Sequence, residues 1–349
     1  MILPQTYFTA MLLLILGMVF WGSWANTLKL VGKWRFELYY FDFAIGLALA
    51  AFILAFTAGN LGFDGFSVLD DLGHAGKRQW FYGFVAGIIF NFANMLLTAG
   101  ISVAGMAVAF PVGIGLSIIV GTAVGLVTKQ GGNPALQTGG CALIMLAILL
   151  IAVANSMANV QRHEALARAG KAKSTRRPSS AKGVILSAVS GLLMAAFYPM
   201  LQKGMEGDLG LGPYAILAVF SLGVFSSTLV FNIFFMNLSV EGDPVEIADY
   251  FKAKPTYHLL GTLGGILWAC GAVSLLAVSA SPVAGSISPA LSNWLRQGFP
   301  LIAALWGLLA WREFRGSDFS AKFLAFLMLI VFGLGLTLIS LAPLYIRRM

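Results

Sequence analysis

The chain has 349 residues, of which 59% are hydrophobic and only 10% charged, and its mean hydropathy is +0.86. A soluble domain carries about 25% charged residues, so this composition excludes one and implies a polytopic membrane protein. The formal net charge of +8 then concerns which loops are basic, and gives no sign of nucleic-acid binding.

Ten apolar runs are long enough to cross a bilayer, expected at about 8–28, 39–58, 80–101, 105–127, 136–155, 184–201, 214–235, 259–278, 283–310 and 323–341. The first run lacks a basic leader, is full length and ends in Trp21-Gly22-Ser23-Trp24, so no cleavable signal is expected. The loops after the third and eighth runs are very short and join antiparallel neighbours. Loops after odd-numbered spans hold fifteen Lys and Arg, from Lys29 to Lys322, and those on the other side hold six. That asymmetry places both termini outside and the 157–182 linker in the cytoplasm. The linker is strongly basic and reads as a solvated tether. Its Gly170-Lys171 is no phosphate loop, because Ala165 stands where the first glycine of that pattern is needed. The loop from Glu241 to Lys254, with Val245, Ile247, Ala248, Tyr250 and Phe251 among acids, suits a short interfacial helix.

The linker separates two halves, 1–156 and 183–349, that echo each other. Gly83-x-x-Ala86-Gly87-Ile88 in span three matches Gly261-x-x-Gly264-Gly265-Ile266 in span eight. Val103-Ala104-Gly105 opens span four as Val283-Ala284-Gly285 opens span nine, with Pro111 and Pro289 following. Each half has an odd number of spans, so the second enters the membrane upside down. The expected fold is an all-α integral membrane protein of ten transmembrane helices in a 5+5 inverted repeat, a carrier architecture. Chance likeness among 40 glycines is the competing account.

Span nine is the most informative run. It is apolar enough to cross, yet carries Ser286, Ser288, Ser292, Asn293, Arg296 and Gln297, with Pro289 and Pro300 inside it. At about 1.5 Å per residue from Gly285, Arg296 lies roughly 16 Å deep, near mid-membrane. Either Arg296 lines a polar cavity and holds a solute, or it snorkels and caps carbonyls freed by Pro300. Asn91 and Asn94 are three apart on one face of span three and either bind solute or glue helices. Trp21 and Trp24 in span one, with Phe197 and Tyr198 in span six, are either belt anchors or paired gates over a stacking site. Asp42, the one acid expected within a span, is a coupling carboxylate or an ordinary interfacial acid. All three histidines fall in loops or at a span edge. No nucleophile–base pair or metal spacing appears at depth, which argues against an intramembrane enzyme, a metal and a cofactor. Cys141 and Cys270 both lie in apolar runs and suggest no disulfide.

The ten spans, the inverted halves and the close of span nine, Leu305-Trp306-Gly307-Leu308-Leu309-Ala310-Trp311-Arg312-Glu313-Phe314, resemble the drug/metabolite transporter superfamily. Gly22-Ser23-Trp24, Tyr39-Tyr40-Phe41-Asp42-Phe43, Phe110-Pro111-Val112-Gly113-Ile114-Gly115 and Gly132-Asn133-Pro134-Ala135-Leu136 are similar to the ureide permeases and glucose/ribose porters within it. This chain departs from plant ureide permeases in having only a short basic linker. The resemblance implies a secondary transporter of a ureide, nucleobase-like compound or sugar, with protons as a candidate coupling ion. A rhamnose-type sugar–proton symporter or a multidrug or amino-acid exporter is the alternative. A channel would need a continuous polar stripe that the spans lack.

Overall fold

A computed structural model describes residues 1–128, 131–169, 181–240 and 242–345. The middle of the basic linker, Lys129, Glu241, Arg347 and Arg348 lie outside the described residues. Those described form helices and no strands: α1 (Tyr7–Ser23), α2 (Asn26–Leu30), α3 (Phe36–Phe56), α4 (Val68–His74), α5 (Lys77–Ala104), α6 (Met106–Val127), α7 (Pro134–Arg168), α8 (Ala181–Met205), α9 (Pro213–Asn237), α10 (Ile247–Phe251), α11 (Pro255–Ser279), α12 (Pro289–Gln297), α13 (Phe299–Leu305) and α14 (Phe319–Leu341). Local chemistry marks the starts. Thr6 and Thr9 form a reciprocal capping box on α1, the Asn133 side chain accepts from Ala135 and Leu136, and Asp318 accepts from Ala321. Pro134, Pro213 and Pro255 sit in first turns, where a missing N–H costs nothing.

Nine segments among the described residues are long and apolar enough to span a membrane, counting α1 with α2 as one. The expected ninth run is not a continuous helix. It begins with a 3₁₀ turn at Ala284–Ser286, continues as α12, breaks at Gly298, resumes as α13 and ends in a π-helical turn at Trp306–Ala310. Pro300 explains the break: it cannot donate to the carbonyl of Arg296, and its ring crowds that oxygen. The linker also differs from the expected tether. Its first part, 157–168, continues α7, because the stretch is rich in Ala, Arg, Glu and Leu and has no glycine or proline before Gly170. Arg162 there donates to the backbone oxygen of Glu313 at 2.9 Å.

The chain forms two compact units, Met1–Met95 with Leu193–Ser288, and Leu96–Leu192 with Pro289–Met349. The divisions fall inside α5 and α8, so each unit draws helices from both halves of the sequence. In the first unit, helices approach at reciprocal glycines. A Cβ on Gly265 would strike the Phe43 carbonyl, and one on Gly46 the Thr262 carbonyl. Likewise a Cβ on Gly87 would strike the Phe220 carbonyl, and one on Gly223 the Phe84 carbonyl. The two crossings, α3 with α11 and α5 with α9, use matching positions. Gly265 follows Gly87 by 178 residues and Thr262 follows Phe84 by 178, while Gly223 follows Gly46 by 177 and Phe220 follows Phe43 by 177.

Loop contacts within this unit sort into two groups. In one, Met1 and Asp64 exchange backbone hydrogen bonds, the Tyr214 hydroxyl donates to the Ile2 oxygen, and Gly212 donates to Asp71. In the other, Arg35 binds Glu37, Ser239 and the Asp243 oxygen. Each group joins loops that the sequence assigns to the same side.

In the second unit α7 packs along α14 through another reciprocal pair. A Cβ on Gly140 would lie 2.6 Å from the Gly335 oxygen, and one on Gly335 2.8 Å from the Gly140 oxygen. Glu313 closes the start of α6. Its carboxylate accepts from the N–H groups of Met106 and Ala107, each at 2.9 Å, in a space that Gly105 (φ 89°) leaves open. The negative charge meets the positive end of that helix.

Candidate functional site

The broken run puts its polar groups on α12 in the second unit. Only Leu295 of this short helix is fully buried, and Ser292, Asn293, Arg296 and Gln297 are half-buried. The Asn293 amide donates to Ser340 at 3.0 Å and accepts from Gln297, while the Trp294 indole donates to Thr337 at 3.3 Å, fastening α12 to α14. Arg296 Nε donates to Ser292 one turn back at 3.1 Å. Asn293 is thus engaged as structure. Arg296 stands in the last turn of α12, four residues before Pro300.

Asn91, Asn94 and Trp24 belong to the first unit, and there they enter one buried network. The Asn91 amide donates to Ser227 at 2.8 Å and Thr228 at 3.1 Å, tying α5 to α9. The Asn94 amide donates to the Tyr40 hydroxyl at 3.1 Å, and that hydroxyl donates to the Asn91 backbone oxygen at 3.3 Å. Beside it the Tyr39 and Thr27 hydroxyls are 2.6 Å apart, and Thr27 donates to the Trp24 oxygen. Trp24 is only 2% exposed and packs on Phe43 with ring centroids 5.0 Å apart. It is a wall of the network. Tyr198 differs: it is 43% exposed and meets Phe197 edge-on.

The same unit holds an aromatic cluster that sequence reasoning assembled only in part. Trp268 stacks on Phe220 (centroids 5.6 Å, planes 9° apart), lies 4.3 Å from Phe90, and stacks on Trp21 at 5.6 Å. Phe197 closes on Phe90 and Phe220 at 5.3 and 6.2 Å. Trp21 donates its indole N–H to the Trp268 oxygen, and Gly271 makes room for its ring. Phe90, Phe220 and Trp268 are buried, while Trp21 and Phe197 are half-exposed. Trp268 stands 178 residues after Phe90, the offset of the glycine crossings. That offset was the available signal for the three missed rings.

One further group went unread. Asn232 on α9 is wholly buried, and neither its amide nitrogen nor its oxygen has a hydrogen-bond partner. It follows Thr228 by four residues, on the face that carries Thr228 toward Asn91. Asp42, the acid expected within a span, is 4% exposed, accepts from the Tyr250 hydroxyl at 2.6 Å, and faces His258 Nδ1 at 2.8 Å. These partners lie more than 200 residues away in sequence, on α10 and in the first turn of α11, where sequence spacing gives no sign of them. Burial, then the hydrogen bond to and charge of Asp42, push the Tyr250 phenol above its ordinary range, so it stays a donor. No group of three or more His, Cys, Asp or Glu that could hold a metal occurs among the described residues.

Comparisons of the chain with protein-family models, curated proteins and solved structures found no match.

Proposed function

We propose that this multi-pass membrane protein is a secondary active transporter of a small polar metabolite, working by alternating access. The observation that carries the reading is the interrupted polar run of α12 and α13. Within a bilayer, backbone without helical partners is tolerated only where protein buries it or a water-filled cavity receives it, and carriers place solute sites at such breaks. Arg296 is the group assigned to the solute, since a guanidinium offers a planar fork of donors to a carbonyl or carboxylate. A ureide, nucleobase-like compound or sugar each offers oxygen acceptors that such a fork can hold.

In this reading the broken run also crosses, as the ninth of ten spans, and residues 1–156 and 183–349 are five-helix repeats of opposite orientation. The matching offsets of the two glycine crossings support the repeat. The drug/metabolite transporter resemblance supports the same class. Both termini face outward and the basic linker is cytoplasmic. Asp42 is the coupling carboxylate of proton-driven transport.

The test is uptake by proteoliposomes, screened over labelled sugars, ureides and nucleobases, with proton and sodium gradients imposed separately. Gradient-dependent accumulation of one solute class is the expected result. Current through a planar bilayer with no saturable solute flux would refute the reading in favour of a channel.

A further inference from the structure

We infer that Asp42, His258 and Tyr250 form a proton-binding site that fastens α10 and α11 to α3. The site rests on geometry. Asp42 stands in the second turn of α3, and Gly261 on α11 lets the two helices meet there: a Cβ at Gly261 would lie 2.5 Å from the Asp42 Cβ. One carboxylate oxygen accepts from Tyr250 and the other faces His258 Nδ1. With Asp42 as the carboxylate, which can only accept, the neutral imidazole carries its hydrogen on Nδ1 and keeps a lone pair on Nε2. A proton from water adds to Nε2; no covalent bond breaks, and the Nδ1 hydrogen stays directed at Asp42. The pair then changes from a carboxylate with a neutral donor to an ion pair. The side chain of Asp42 is 5% exposed and that of His258 29%, so the imidazole is the member that water reaches.

The surroundings are aromatic and nearly free of competing charge. Trp34 meets the His258 ring edge-on at 5.2 Å and lies 6.3 Å from Tyr250 and 5.6 Å from Tyr257, while Phe41 closes on Tyr250 at 5.6 Å. On α3, the Tyr39 hydroxyl is engaged by Thr27, and Glu37 is held by Arg35. On α10 the neighbour is Tyr250, with Asp249 and Lys252 paired to each other at 3.5 Å. α11 contributes Tyr257 beside His258, α2 contributes Lys29, and α9 has no charged side chain. His258 is therefore the group whose proton changes the local charge, and the amphipathic α10 is the element it holds.

Proton binding here is independent of any solute; its use in coupling rests on the transporter reading. Trp34 is a built-in reporter, because an imidazolium in contact with an indole quenches its emission and a neutral imidazole does so far less. Emission of the purified full-length protein in detergent is recorded from pH 5 to 8, without solute. A sigmoidal component is expected in the wild type, lost in Trp34→Phe and His258→Gln, and moved to lower pH in Asp42→Asn, where the imidazolium lacks its counter-ion. Should Asp42→Asn not fold, Tyr250→Phe keeps the ring, removes one donor from the carboxylate and should move the transition to higher pH. The three histidines also allow ¹⁵N imidazole spectra to assign the titrating ring directly. A transition that survives His258→Gln, or that neither carboxylate-site variant moves, overturns the proposal. A failed solute screen alongside a His258-dependent transition would refute the transporter reading and leave the proton site standing.

Discussion

The packing of α7 on α14 can be tested by adding one carbon at a time. A Cβ at Gly140 would stand 2.6 Å from the Gly335 oxygen, where ordinary contact begins at 3.4 Å, so the helices must part by about 0.8 Å. At Gly335 the added carbon would stand 2.8 Å from the Gly140 oxygen, which asks for about 0.6 Å. Overpacking of this kind costs about 1–3 kcal/mol, and alanine regains about 0.8–1 kcal/mol of helix propensity. Each single substitution should therefore destabilise by roughly 0–2 kcal/mol. Both act on the same gap, so once Gly140→Ala has opened it, Gly335→Ala should cost little more. The double variant should be more stable than additivity predicts by about 1 kcal/mol. Gly121→Ala is the control: nothing lies within 4 Å of its added carbon, and it should be neutral or mildly stabilising. Thermal unfolding in detergent, followed by size-exclusion chromatography, measures all four proteins. If Gly140→Ala melts like Gly121→Ala, or if the double variant is strictly additive, the close crossing is not where these helices are held.

Four other outcomes are expected. Arg296→Lys and Arg296→Met should fold normally, and solute affinity should fall in the order Arg, Lys, Met, by about 10- to 100-fold for Met if a charge-assisted contact of about 1.5–3 kcal/mol is lost; unchanged affinity in a folded Arg296→Met would make the residue structural. Asp42→Asn should abolish accumulation against a gradient while sparing exchange, as counterflow in proteoliposomes would read, and unchanged proton-driven accumulation would remove it from coupling. Glu313→Gln turns a donor toward one of the two N–H groups at the start of α6 and should cost about 1–3 kcal/mol in a thermal melt. A single cysteine at Ser174 should resist an impermeant thiol reagent in intact cells and react after lysis; labelling from outside would reverse the assigned orientation.

Most of the fold was legible because bilayer solvation writes long apolar runs into sequence, and nine of the expected spans reappear as helices of spanning length. The exceptions follow local chemistry that hydropathy averages away. Pro300 breaks the ninth run although Phe299 to Trp311 carries no charged residue. The α7 extension was not anticipated because basic charge signals solvent exposure and says nothing about helicity; Ala165 to Arg168 are good helix formers. The short α4 was not anticipated, although Ser67 accepting from the Asp70 N–H is an ordinary start signal.

The site was less legible, for a reason that separates polar groups into kinds. Sequence shows that Asn91, Asn94, Asn232, Asn293 and Asp42 lie at or near apolar depth, but not which of them have their hydrogen bonds filled. Asn91 is filled by Ser227 and Thr228, more than 130 residues away, and so holds helices together. Asn232, four residues past Thr228, is as deeply buried and has no partner. An amide left so costs on the order of 1–3 kcal/mol by mutational measures, a cost that an apolar residue of similar size would not incur. Pairing, rather than depth, therefore distinguishes a residue that stabilises this conformation from one whose partner must come from solute, water or another conformation. By that criterion Asn91, Asn293 and Asp42 are all held by partners in this conformation, and Asn232 is the group left open.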